Sequence, residues 1–148
     1  MNNPVNSLAV SLFSEILTVD QLARMNVAKA LPKGMELSHF SVLNHLAHVG
    51  GEKTPAQLAK TFHLTRGAMT NTLGKLEWAG WVHIRPDWED ARRKLVSISL
   101  TGIAARDAAL AAITPVIAEV VEQIGAEKVR QALPVLREMR KRLLDAEI

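Results

Sequence analysis

Between Thr65 and Ala79 the sequence sets Met69, Leu73 and Leu76 at intervals of three and four, which puts them on one side of a helix. The opposite side carries Gly67, Asn71, Gly74 and Lys75, flanked by Arg66 and Thr70. An asparagine amide can offer paired hydrogen bonds to adenine, and the cations can read guanine or neutralise phosphates. A polar outer face is also what ordinary surface helices show, so residue types alone leave both readings open. Each glycine inside a helix costs roughly 1 kcal/mol relative to alanine, however, and close approach of a partner is one reason to carry two. Downstream, Asp87, Glu89, Asp90, Arg92, Arg93 and Lys94 crowd into one short segment, which must project into solvent or onto a charged partner.

Other chemistries find little support. The 148 residues include no cysteine, which removes disulfides, thiolate metal sites and thiol redox switches. His45 and His48 share a helical spacing, but no third ligand stands near them in sequence; no metal and no cofactor are expected. Gly-x-Ser-x-Gly, phosphate-loop and His-Glu-x-x-His patterns are all missing, so an enzyme is not expected.

With 48% hydrophobic and 22% charged residues, the chain can bury one substantial core, and one domain over 1–148 is expected. The net charge of +3 permits nucleic acid without requiring it. The first charged residue is Glu15, so no basic segment opens an export signal; a cytoplasmic protein is expected. The longest weakly polar run, Ala108 to Ala118, falls short of the roughly 20 residues that span a bilayer, and no membrane partner is expected.

The elements that must position these residues follow from periodicity and caps. Leu8, Leu12, Ile16, Val19, Ala23, Val27 and Ala30 form a helical stripe over 6–31, broken by Pro32 and Gly34. A second helix begins near Ser38, with Phe40, Leu43, Leu46 and Ala47 as its apolar face, and stops at Gly50-Gly51. Thr54-Pro55-Ala56-Gln57 is a capping box that opens a short helix over 55–62, and Thr65 caps the next, which Gly80 ends. Alternating residues 81–85 and 95–98 read as a hairpin whose loop is 86–94. From Ser99 onward Ile103, Leu110, Ile117 and Ile124 repeat every seven residues; Val129, Leu136 and Leu143 do so in a last helix over 126–146. Pro115 and Pro134 are expected to kink these two helices. The seven-residue stripes exceed what one small domain can cover, which predicts a homodimer.

Two short helices, the second followed at once by a hairpin with a charged tip, are the parts of a winged helix-turn-helix. The segments Thr54-Pro-Ala-Gln-Leu-Ala, Leu64-Thr-Arg-Gly-Ala-Met-Thr and Leu73-Gly-Lys-Leu-Glu-Trp-Ala-Gly-Trp-Val resemble the MarR family, as do Asp87-Trp-Glu-Asp-Ala-Arg92, Leu95-Val-Ser-Ile-Ser99 and Gly102. The resemblance covers nearly the whole chain. It implies a mainly α fold with a small antiparallel β-wing: a winged helix-turn-helix over 38–98 between dimerisation helices at 6–31 and 99–148. It also implies a DNA-binding transcriptional regulator, with Thr65, Arg66, Gly67, Thr70, Asn71 and Lys75 on a major-groove helix and Arg92 reaching the minor groove. Asp90 would brace the wing, and Arg93 and Lys94 would contact phosphates. A ligand-responsive repressor on a palindromic duplex site is the expected mode, its small-molecule effector not specified by any residue set. A helical protein-interaction module is the competing expectation. Asn71 stands where relatives often carry arginine, Trp88 where they often carry proline and Ser99 where they usually have threonine. Trp78, on the outer side of the recognition helix, is expected to pack against the wing or a neighbouring helix rather than to touch DNA.

Overall fold

The computed structural model describes residues 3–146. Its elements run α1 (Pro4–Ala30), α2 (Leu37–Val49), α3 (Pro55–Thr61), α4 (Arg66–Trp78), β1 (Val82–Asp87), β2 (Asp90–Ile98), α5 (Leu100–Ile124) and α6 (Ala126–Ala146). The mainly helical class with a two-stranded antiparallel wing is thus as the sequence predicts.

Local chemistry sets the helix ends. Asn3 caps α1 by accepting the Val5 amide at 2.9 Å, with Pro4 at the first helical position, so this helix starts two residues earlier than its apolar stripe suggests. Thr54 and Gln57 close their capping box at 3.1 and 2.9 Å. At the start of α2 a histidine takes the glutamine's part, with His39 Nδ1 accepting the Glu36 amide at 3.1 Å.

The chain forms two compact units, Met1–Ile113 and Thr114–Ile148, divided inside α5. The core of the first is built from Val42, Leu43 and Leu46 of α2, Leu58 and Ala59 of α3, Met69, Leu73 and Leu76 of α4, Val82 and Val96 of the wing, and Ala109 of α5. The start of α5 is fixed tightly. Ser99 Oγ donates to the Gly80 carbonyl at 2.6 Å and accepts the Gly102 amide at 2.9 Å. Gly102 lies so close to the Trp81 carbonyl that a Cβ there would collide with backbone. Arg106 then ties α5 to α2 through Asn44 Oδ1 at 3.1 Å.

One expectation about the elements needs correction. The segment 86–94 is mostly strand: β1 continues through Pro86 to Asp87 and β2 begins at Asp90, leaving Trp88 and Glu89 as the turn. Pro86 is tolerated because the ladder is irregular there. Pairing passes from Pro86↔Lys94 to Asp87↔Asp90, so Ala91, Arg92 and Arg93 have no partners across the hairpin. Helix continues through Pro115 and Pro134, as the heptad stripes on both sides of each proline require, since one missing amide donor removes a single bond from a ladder held on both sides. The helix α5 is also longer than the weakly polar run inside it. Over 18 residues its mean hydropathy reaches 1.4, enough by length and composition to cross a membrane. Its first half is nonetheless committed to packing, with Gly102, Ala109 and Ile113 buried.

The terminal helices leave their apolar residues in solvent. None of the 27 residues of α1 is buried, and Leu8, Leu12, Leu17, Val19 and Leu22 are exposed. In α5 Ile117, Val120, Val121 and Ile124 are exposed. So are Leu133, Leu136 and Leu143 of α6, which also buries none.

Candidate nucleic-acid interface

The helix α4 is held by its inner face and open on its outer one. Met69, Leu73 and Leu76 are buried, as their spacing requires. Thr65 spends its hydroxyl on the cap, accepting the Ala68 amide at 3.1 Å, so it positions the first turn. Arg66, Gly67, Thr70, Asn71 and Lys75 are all exposed. A Cβ added at Gly67 or Gly74 would meet nothing within 4 Å, so neither glycine is required by packing inside the chain. The two are unlike Gly102 in this respect. The turn from α3 to α4 passes through His63 at φ 53, with the Leu64 amide bonded to the Ala59 carbonyl at 2.9 Å.

Thr70, Asn71, Gly74, Lys75 and Trp78 line an open depression of about 420 Å³ on this outer face. Trp78 is 92% exposed, which overturns the expectation that it packs against the wing or a neighbouring helix. As the last residue of α4 it projects past the core-facing row that ends at Leu76.

The wing presents its cations from the unpaired stretch of β2. The side chain of Arg92 is 90% exposed and its Nε lies 3.2 Å from Asp90 Oδ1, which also accepts the Arg92 amide at 3.1 Å. Those two bonds hold the Asp90 carboxyl below the usual carboxylate range. Arg93 Nε stands 3.6 Å from Asp87 Oδ2, and Lys94 is exposed beside Pro86.

Several positioning contacts carry no local sequence signal. Arg85 of β1 makes a bidentate pair with Glu52, at 2.7 and 2.8 Å, which ties the wing to the segment before α3. The hydrogen bond to Arg85 pulls the Glu52 carboxyl below its ordinary range. The same guanidinium sits 6.0 Å from the ring centre of Trp88, which is 80% exposed at the wing tip. Lys53 and Val96 exchange backbone bonds at 2.9 and 2.8 Å, adding a third short segment beside β2. The Glu52–Arg85 and Lys53–Val96 pairs join residues more than thirty positions apart, beyond the reach of periodicity.

Among the described residues, no three His, Asp or Glu side chains gather as a metal site. His45 instead meets Phe62 edge-on at 5.4 Å.

Residues 33–93 match the model of the MarR family. No curated protein sequence matches the chain. Among solved structures, a mutant of MarR from E. coli complexed with operator DNA is similar at 24% identity and a TM-score of 0.77, over 93% of this chain and 99% of that one. The transcriptional regulator BldR from Sulfolobus solfataricus is similar at 22% identity and a TM-score of 0.81, over 95% and 99%. A MarR-family transcriptional regulator from a Rhodococcus species is similar at 24% identity and a TM-score of 0.78, over 89% and 94%. The fold of these winged helix-turn-helix structures is therefore shared along nearly the whole chain, and the match to the MarR family model spans residues 33–93 within it.

Proposed function

We propose that the chain is a transcriptional regulator that binds a palindromic double-stranded DNA site as a homodimer, in the cytoplasm, and represses until a small molecule intervenes. The observation that carries this reading is the outer face of α4. Asn71 stands there between two glycines that packing does not require, flanked by Arg66 and Lys75. Small residues let the helix backbone approach base edges while the amide pairs with adenine. Arg92, exposed and oriented by Asp90, suits a narrow minor groove, whose concentrated negative potential attracts arginine. Arg93 and Lys94 add phosphate contacts. The E. coli structure with operator DNA, similar over 93% of this chain, lends the reading further support.

Pairing is supported by the apolar surface left open on α1, α5 and α6. Only 17% of the most apolar stretch of α5 is buried within the chain. Two-fold pairing would set two α4 helices about one DNA turn, roughly 34 Å, apart. An effector with unequal affinity for two such spacings supplies the switch.

The test is selection of bound sites from a random duplex pool, followed by titration of the selected site at two salt concentrations. A two-fold symmetric site is expected, with affinity falling steeply as salt rises. No preferred sequence and no salt dependence would sink the proposal. Arg92→Ala should weaken binding roughly tenfold, within the range of one groove contact, while sedimentation still reports a dimer.

A further inference from the structure

The outer face of α4 ends on a large apolar side chain that folding leaves in water. Of the large hydrophobic residues of α4, Trp78 alone is exposed, and at 92% it contributes almost no buried area to the core. On a helix of 3.6 residues per turn, Gly67, Asn71, Gly74, Lys75 and Trp78 fall along one stripe. The open depression of about 420 Å³ lies between the side chains of that stripe, with Gly74 leaving the gap between Asn71 and Trp78.

The order of sizes along the stripe has a geometric meaning. A straight helix laid in a DNA major groove comes closest to the base edges near its middle, and the groove curves away from its ends. A residue without a side chain fits the middle; a long one is needed to reach bases at the end. Gly74 and Trp78 follow that order, and Lys75 beside them favours a polyanion over an apolar partner. The one apolar group that base pairs present in the major groove is the thymine methyl.

We propose that Trp78 determines specificity by packing its indole ring on a thymine methyl at the outer end of each half-site, while Gly74 leaves room for the intervening base pair. This rests on the DNA-binding reading above. A second copy of the chain is the weaker occupant, because the rest of the stripe is polar or cationic and the large apolar surfaces lie on α1, α5 and α6.

The experiment compares wild type with Trp78→Ala, each used to select sites from the same random duplex pool. Affinities are then measured on the wild-type site with either thymine or deoxyuridine at the outer position. Because the indole is exposed, the variant should keep its thermal unfolding midpoint and its dimer. Trp78→Ala is expected to lose an A·T preference at one position in each half-site. Replacing that thymine by deoxyuridine, which removes only the methyl, should cost wild type about fourfold and the variant nothing, as expected for one buried methyl group. Identical base preferences in the two proteins would overturn the proposal while leaving DNA binding intact. A loss of affinity that is equal on thymine and deoxyuridine would also overturn it, assigning the ring to the sugar-phosphate wall. A wild type that selects no site would sink this inference and the DNA-binding reading together.

Discussion

A glycine on an exposed helix face costs stability, so its presence there separates folding from function. At Gly74 the surroundings are open and the backbone is helical, which means alanine fits without strain. Gly74→Ala should therefore raise stability by up to about 1 kcal/mol in chemical denaturation. The same methyl would stand between α4 and a base edge, so affinity for the selected DNA site should fall. A variant that is more stable and binds equally well would show that α4 makes no close approach there. His39 illustrates a titrating residue used for structure. It is 7% exposed, accepts the Glu36 amide, and stands edge-on to Trp81 at 6.5 Å. Burial holds its imidazole below the usual histidine range; Glu36 opposes that lowering and Lys75 adds to it. The unfolded chain then binds the proton more tightly than the folded one. Stability should fall as pH drops from about 6.5 toward the lowered folded value, and should be unaffected by this group above that window. His39→Gln keeps an acceptor for the Glu36 amide but cannot titrate. Its unfolding midpoint should decline less than wild type's between pH 7 and pH 5; parallel declines would remove His39 as the cause.

At the scale of elements, the helices were legible because caps and apolar spacing are local. Thr54, Gln57 and Thr65 mark their helix starts, and Met69, Leu73 and Leu76 are buried where a period of 3.6 places them. The exposure of Lys75 could be read for the same reason, and that of Arg92 from the crowding of charge around it. The wing was only half legible. Pro86 reads as a strand breaker, and nothing near it reveals that the ladder is irregular at that point or that β2 runs from Asp90. Its anchorage was invisible, because Glu52 and Arg85 are neighbours only in the folded chain, with α3 and α4 between them in sequence. That pair should act on the wing more than on the whole fold. Glu52→Gln is expected to speed amide exchange at backbone positions of β1 and β2 while the α2–α4 core stays protected. With the carboxyl held low by Arg85, its contribution is complete above the ordinary carboxylate range and is lost as pH falls through the lowered value. The exchange difference between wild type and variant should therefore persist at pH 5 and close in stronger acid. Equal wing exchange at pH 7 would mean that the Lys53–Val96 bridge suffices to hold it.

For the whole molecule, the amount of uncovered apolar surface decides how the chain must exist in solution. Heptad spacing in the last two helices asks for a partner along their length, and folding supplies only part of one. Ile113 is buried, whereas Ile117, Val120 and Ile124 are exposed. A pairing interface built on them ties folding to protein concentration, because association stabilises only the paired state. Ile117→Glu tests this selectively. The position is 47% exposed, so the charge should leave the α2–α4 core unharmed, but placing a carboxylate inside an apolar interface without a partner is costly. Wild type should sediment as a dimer, with an unfolding midpoint that rises with concentration. Ile117→Glu should shift toward monomer, with a midpoint independent of concentration and a helical spectrum largely retained. Binding to a palindromic site should then fall by about a hundredfold or more, since the second half-site no longer benefits from the effective concentration that pairing provides. Binding to an isolated half-site should change little, which distinguishes a broken dimer from a damaged reading face. A variant that stays dimeric and binds the palindrome normally would move the interface off the second half of α5, leaving α1 and α6 as its remaining apolar surfaces.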